Sequence, residues 1–179
     1  MKVWIIRHGQ TDWNKNGKIQ GSTDIELNET GIKQAEEVIP TFNEHNFDLI
    51  ISSTLKRAMK TAQIINREKN VEIIYDKRLI ERHCGDYEGT PTTLDEDPLF
   101  NVLTNVSTHN IETVKELYER VYSILTEVKE KYKDKKVLLV THGGTTRAIE
   151  TFFYGVDKNG IMPPETIKNC EIREYEYKD

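Results

Sequence analysis

Apolar residues along this chain recur with two different periods, and the alternation between them predicts the architecture. Lys2 to Ile6 is a short apolar run ending at Arg7-His8-Gly9, as a buried strand would. Residues 9 to 30 are polar and contain glycines, which reads as a loop. Ile32, Ala35, Val38, Ile39 and Phe42 fall at helical spacing and predict a helix from about 30 to 44. Phe47 to Ser52 is a second strand, stopped by Ser52-Ser53. Leu55, Ala58, Met59, Ala62 and Ile65 mark the next helix, with Ser53 or Thr54 as its expected N-cap. Val71 to Tyr75 reads as a third strand. Asp76 to about Asn110 is broken by Gly85, Gly89, Pro91 and Pro98 and reads as a long loop, the kind that serves as a lid or binding segment. Val114, Leu117, Tyr118, Val121, Ile124, Leu125 and Val128 define the clearest helix, roughly 112 to 133. A strand over Lys136 to Val140 and a helix over Gly143 to Phe153 follow. Irregular alternation from Ile167 to Tyr177 adds one or two strands, antiparallel pairing among the options.

Strands that alternate with helices imply an α/β fold, a three-layer α/β/α sandwich with a mostly parallel central sheet. No repeat or linker divides the 179 residues, so they predict one domain, 1–179, with a short lid or insertion at about 76–111. In such folds the carboxyl ends of the parallel strands share one edge, and ligands bind outside them.

Composition narrows the class. With 36% hydrophobic and 31% charged residues in periodic order, the chain is globular rather than disordered. A net charge of -5 gives no support to nucleic acid or an anionic membrane surface as a partner. The apolar run at the start is too short for a signal peptide, and no stretch approaches transmembrane length. The two cysteines, Cys84 and Cys170, do not have zinc-site spacing and read as reduced thiols, which places the expectation in the cytoplasm.

Four strand exits carry polar chemistry. The first bears Arg7 and His8, and the second leads through Ser52-Ser53 to Arg57. The third runs through Arg78 to Glu81, and the fourth bears Thr141-His142-Gly143-Gly144. Taken singly each is ordinary: a histidine after a strand is more often a packing residue, an arginine on a helix is usually solvated, and Gly-Gly is usually a turn. Convergence in one crevice changes the reading. Arginine matches phosphate oxygens with a planar, permanently charged fork. A neutral imidazole is a competent nucleophile near neutral pH, and a carboxylic acid can protonate a leaving alkoxide. The glycines and the helix after them offer backbone donors. Together these suit phosphoryl transfer.

Arg7-His8-Gly9-Gln10-Thr11, followed by Asn14 and Gln20-Gly21, resembles the opening signature of the histidine phosphatase (phosphoglycerate mutase-like) superfamily. Three further blocks resemble the family in its order: Ser52-Ser53 with Leu55, Arg57 and Ala58; Glu81-Arg82 with Gly85 and Glu88-Gly89; and Thr141-His142-Gly143 with Arg147. Asn169-Cys170 is similar to the family's final strand. The resemblance spans nearly the whole chain and implies a phosphoglycerate mutase-like fold. It implies His8 as the phosphorylated nucleophile, Arg7, Arg57 and His142 as holders of the phosphoryl oxygens, and Glu81 as proton donor and then base. Asn14, Gln20 and Gly143 are implied at the substrate. No metal and no cofactor are implied, and the partner is a small phosphorylated metabolite.

The same resemblance leaves three activities in competition: a metal-independent phosphomonoesterase, acting for example on α-ribazole 5'-phosphate; a phosphoglycerate mutase; and a non-catalytic phospholigand-binding module. Gly85 to Val114 contains no lysine or arginine but holds Asp86, Glu88, Asp95, Glu96 and Asp97. Mutases of the family resemble one another in supplying extra cations there. The acidic lid therefore favours the first activity, on a monophosphate whose remainder is neutral, apolar or cationic. Lys15, Lys18, Arg78 and Arg82 are the cations that would compensate from other loops. The family's Gly-Glu-Ser block is matched only by Ile111-Glu112-Thr113, and the chain is short for the family, which suggests a reduced lid and an open site.

Overall fold

The computed structural model describes residues 1–92, 97–164 and 167–178. Five strands form one sheet in the order β3-β2-β4-β1-β5: β1 (Lys2–Arg7), β2 (Leu49–Ser52), β3 (Glu72–Tyr75), β4 (Val137–Thr141) and β5 (Ile172–Glu176). Four run parallel, and β5 pairs antiparallel with the outer edge of β1. The helices are α1 (Asp12–Lys15), α2 (Glu29–Glu37), α3 (Ile39–His45), α4 (Lys56–Ile65), α5 (Val114–Lys131) and α6 (Gly143–Tyr154).

Alternation along the strands sorts the core into two layers. Val3, Ile5, Ile51, Val137 and Leu139 pack under α5 and α6, against Leu117, Val121, Ile124 and Ile149. Trp4, Ile6, Ile50, Leu138 and Val140 face the other way, onto Ala35 and Phe42 of the α2–α3 pair and Ala58, Ala62 and Ile65 of α4. With apolar contact on both faces the inner strands are hydrophobic throughout, which is why they read as continuous runs. Among the described residues no helix is long and apolar enough to cross a membrane.

Three expectations are corrected. The helix expected over 30–44 is two helices, because Pro40 lacks an N–H for the turn before it and its ring would meet the carbonyl four residues back. Val38 ends α2 and starts α3, and Asn46 at φ 51° ends α3. The 9–30 loop contains α1, nucleated by a capping box between Thr11 and Asn14. Neither Ser53 nor Thr54 caps α4: Leu55 is its N-cap, and Oδ1 of Asp24 accepts the Lys56 N–H at 2.7 Å.

The long segment after β3 is less irregular than its composition suggests. Among its described residues are three 3₁₀ turns, Lys77–Leu79, Gly85–Tyr87 and Asp97–Phe100. Bridges fasten it to the body, Lys18 to Pro91 on one side and Asn101 to Ile161 on the other. Asp95 and Glu96 of the acidic stretch lie outside the described residues.

Candidate active site

Sheet order makes the site. Because β4 lies between β1 and β2, and Arg7 is in register with Thr141 and Ser52 with Val140, the chain leaves three adjacent strands at one level. His8 and His142 emerge side by side, with ring centres 5.1 Å apart. The His8 backbone is held from both sides, its N–H donating to the Thr141 carbonyl at 3.0 Å and its carbonyl accepting from Asn169 Nδ2 at 2.8 Å.

The hydrogen bonds assign the proton positions. His8 Nδ1 is 2.7 Å from the Gly9 carbonyl, which only accepts, so Nδ1 carries the proton and Nε2 keeps its lone pair. Arg57 Nε donates toward both His8 Nε2 and His142 Nδ1, each at 3.2 Å. His142 therefore carries its proton on Nε2, which donates to Ser53 Oγ at 2.7 Å. Both rings are buried. Burial first, then the charges of Arg57 and Arg7, pushes the His8 pKa well below the ordinary histidine value, against the opposing Gly9 bond. Burial also lowers His142 well below that value, followed by Arg57, His8, Arg120 and Arg7. Both are neutral imidazoles at neutral pH. Burial lowers Arg57 to about 10, opposed by Glu81, Asp24 and Glu88, so it stays a cation.

A cavity of roughly 260 Å³ opens over His8. Arg7, Asn14, Gln20, Gly21, Glu81 and Gly144 line its polar end. Arg7 is anchored by Nη1 on the Ile167 carbonyl, and Asn14 Oδ1 accepts from the Thr11 N–H and hydroxyl. Gln20 Oε1 accepts from the Thr11 hydroxyl as well. Arg57 and His142 are not in the cavity wall; they lie directly behind His8. Arg57 Nη1 and Nη2 donate to the carbonyls of Thr23 and Gly21 at 2.8 and 2.7 Å. Gly143 begins α6 and lies outside the lining, where Gly144 takes its place.

Glu81 sits in a cradle of donors at the start of α6. Its carboxylate accepts from the N–H groups of Gly144 and Thr145, from the Thr145 hydroxyl and from the Arg82 N–H, at 2.9–3.2 Å. A side chain at Gly144 would place its Cβ 2.8 Å from Glu81 Oε1, so the close approach requires glycine there. The preceding backbone is fixed by Arg120, whose Nη1 donates to the Arg78 and Ile80 carbonyls at 2.7 and 2.9 Å. Thr145 Oγ1 also donates to the Ile80 carbonyl. Arg120 and Thr145 carried no signal in sequence, since a helix-surface arginine and a helix threonine are commonplace; the Gly143-Gly144 pair was the only hint of a close approach.

The far wall is mostly apolar, from Ile19, Tyr87, Leu99, Phe100 and Ile111, with Cys84 beside them. Of the four compensating cations, Lys18 and Arg82 line the cavity. Lys15 does not, and Arg78 is turned away, paired with Asp76 and Glu127. Two arms of the Arg82 guanidinium are committed to structure, Nε and Nη1 donating to the Glu112 and Leu99 carbonyls, while its buried Nη2 has no hydrogen-bond partner among the described residues. Arg82 and Arg147 place their guanidinium carbons 4.7 and 3.8 Å from the Phe100 ring centre, pinning this turn to the body. Among the described residues no three His, Cys, Asp or Glu side chains gather as a metal site.

The three-layer α/β body thus brings together paired neutral histidines, an arginine between them and a carboxylate from the segment after β3. The chain belongs to the histidine phosphatase superfamily, branch 1, whose family model matches residues 3–179. It is 41% identical over 155 residues to the uncharacterized phosphatase PhoE of Bacillus subtilis, covering 87% of this chain and 78% of that protein. It is 31% identical over 164 residues to phosphoserine phosphatase 1 of Hydrogenobacter thermophilus, 88% of this chain and 78% of that one. Among solved structures, the mycobacterial glucosyl-3-phosphoglycerate phosphatase in complex with VO3 superposes with a TM-score of 0.80 at 25% identity, over 97% of this chain and 90% of that chain. The chain is a phosphatase-class enzyme.

Proposed function

We propose that this protein hydrolyses small phosphate monoesters through a phosphohistidine on Nε2 of His8. The observation that carries the reading is the buried His8 ring, protonated on Nδ1 by its bond to the Gly9 carbonyl and so presenting a Nε2 lone pair beside a fixed cation. In the first half-reaction Nε2 attacks phosphorus, the P–O bond to the leaving group breaks, and Glu81 gives the leaving oxygen its proton. In the second, Glu81 takes a proton from water, the resulting hydroxide attacks phosphorus, and the P–N bond breaks with its electron pair returning to Nε2. Arg7, in the cavity wall, holds the phosphoryl oxygens directly, and Arg57 releases its Nε bond to His8 as Nε2 attacks and adds its charge from behind the ring. His142, whose one N–H is taken by Ser53 Oγ, orients Arg57 by accepting from its Nε rather than binding the oxygens itself. Asn14 and Gln20 complete the phosphate end, and the segment over 76–111 acts as the lid.

The substrate class follows from the wall of the cavity. Ile19, Leu99, Phe100 and Ile111 favour a monophosphate whose remainder is neutral or apolar over one with a second phosphate. Relatives named for phosphoserine and for glucosyl-3-phosphoglycerate support a small phosphorylated metabolite as the class. A neutral-pH rapid quench with a ³²P-labelled monoester tests the mechanism. Acid-labile, base-stable label on the wild type, lost together with turnover in His8→Ala, is the expected result. Undiminished hydrolysis by His8→Ala would overturn it. The same preparation assayed for isomerisation of 3-phosphoglycerate, and on 2,3-bisphosphoglycerate, separates a hydrolase from a mutase.

A further inference from the structure

Glu88 lies outside the cavity lining, yet its half-buried carboxylate accepts hydrogen bonds from Ser22, Thr23 and Cys84. Oε1 accepts from the N–H groups of Ser22 and Cys84 at 2.9 and 3.0 Å and from the Ser22 hydroxyl at 3.2 Å. Oε2 accepts from the Thr23 N–H at 3.0 Å and from the Thr23 hydroxyl. His83 Nδ1 stands 3.0 Å from Oε1 and 2.7 Å from Ser22 Oγ. Burial works to raise the Glu88 pKa, but the bonds from Thr23, Cys84 and Ser22 outweigh it and hold the carboxyl below the ordinary glutamate value. A Cβ on Gly21 would fall among the Glu88 side-chain atoms, and Gly21 has φ +52°, so the loop reaches this carboxylate only with glycine there.

Gly21 and Thr23 of the same loop face Arg57 on their other side. Glu88 grips the N–H groups of Ser22 and Thr23, while the carbonyls of Gly21 and Thr23 grip Nη2 and Nη1 of Arg57. Next along the loop, Asp24 caps α4, the helix that carries Arg57. We infer that Glu88 is a positioning residue: through the loop Gly21-Ser22-Thr23 it fixes the guanidinium of Arg57 against His8, so that the turn carrying Cys84 and Glu88 and the phosphate end of the site hold together. A glutamine at 88 would keep the shape but turn an NH2 donor toward N–H groups that need an acceptor.

This inference rests on the reading of His8 and Arg57 given above, and the test separates the two. Glu88→Gln, Ser22→Ala and His8→Ala are assayed with 4-nitrophenyl phosphate across pH, with inorganic phosphate as competitive inhibitor and quench labelling to count active sites. For Glu88→Gln the expectation per active site is a kcat lower by about 100-fold, from misplacement of the cation. Phosphate inhibition weakens by about tenfold, as the Arg57 charge behind His8 shifts away from the phosphate end. The acid limb moves to higher pH as the Arg57 charge loosens beside His8. Ser22→Ala keeps both main-chain bonds and stays within about twofold of wild type. A Glu88→Gln enzyme whose kcat per site, phosphate inhibition and acid limb all match wild type overturns the inference, while a fully active His8→Ala overturns the reading beneath it. Should Glu88→Gln not fold, Glu88→Asp, which keeps the charge but withdraws it by one methylene, decides by the same three readouts.

Discussion

At the scale of single residues the site is defined by where two protons sit. The Gly9 carbonyl holds one on Nδ1 of His8, and Arg57, by donating to Nδ1 of His142, leaves the other on Nε2. Neither assignment depends on solvent, because both rings are buried. ¹⁵N-labelled histidine NMR at pH 6 should therefore show His8 as a neutral Nδ1–H tautomer and His142 as a neutral Nε2–H tautomer. An imidazolium signal from either ring at that pH would contradict the electrostatic account, since an unperturbed histidine is largely protonated there. His8 stands out in the sequence only through the convergence of four strand exits and the family resemblance, since a histidine after a strand is by itself ordinary. Its tautomer is not legible there, because it is set by a carbonyl whose direction no sequence pattern reports.

At the scale of elements, the start of α6 and the loop after α1 do the positioning. The first turn of α6 offers its N–H groups to Glu81, so a helix end that would otherwise be unsatisfied becomes the seat of a carboxylate. Gly144→Ala puts a methyl group 2.8 Å from Oε1, against the flexible end of a side chain rather than against backbone. The fold should tolerate this, with stability changing by no more than about 1 kcal/mol because alanine also favours the helix. The carboxylate must move, and kcat should fall by about 10- to 100-fold. Loss of stability without loss of kcat would show that the contact serves packing only. The break at Pro40 and the Asp24 cap on α4 belong to this scale too. Pro40 was visible in the sequence and its consequence follows from a missing N–H. The partnership of Asp24 with Lys56 spans 32 positions, beyond any local capping rule.

For the whole molecule, two buried neutral histidines couple folding to pH. Their folded pKa values lie well below that of the unfolded chain, about 6.5, so the unfolded state binds more protons in the window beneath it. This contribution is fully present above pH 6.5 and is lost as pH falls, at a limit of about 1.4 kcal/mol per pH unit for each ring. Urea unfolding between pH 7 and 5 should show stability declining toward the acid end, and His142→Asn should shallow the decline by one proton. An unchanged slope would place the proton uptake elsewhere. The sequence alone determined the alternation of strands and helices, hence the layered fold, and which residues leave the strand ends, because both follow from local periodicity. It also carried the four ordered motifs of the family. Tertiary structure decided that β4 inserts between β1 and β2, and with that the meeting of His8 and His142, since strand order is a matter of which apolar faces pack best across the whole sheet. It decided as well that Arg78 turns away to Asp76 and Glu127, and that Glu88 turns inward to the loop carrying Arg57's acceptors. Charged side chains of equal promise in sequence are separated by their partners, and those partners are distant in the chain.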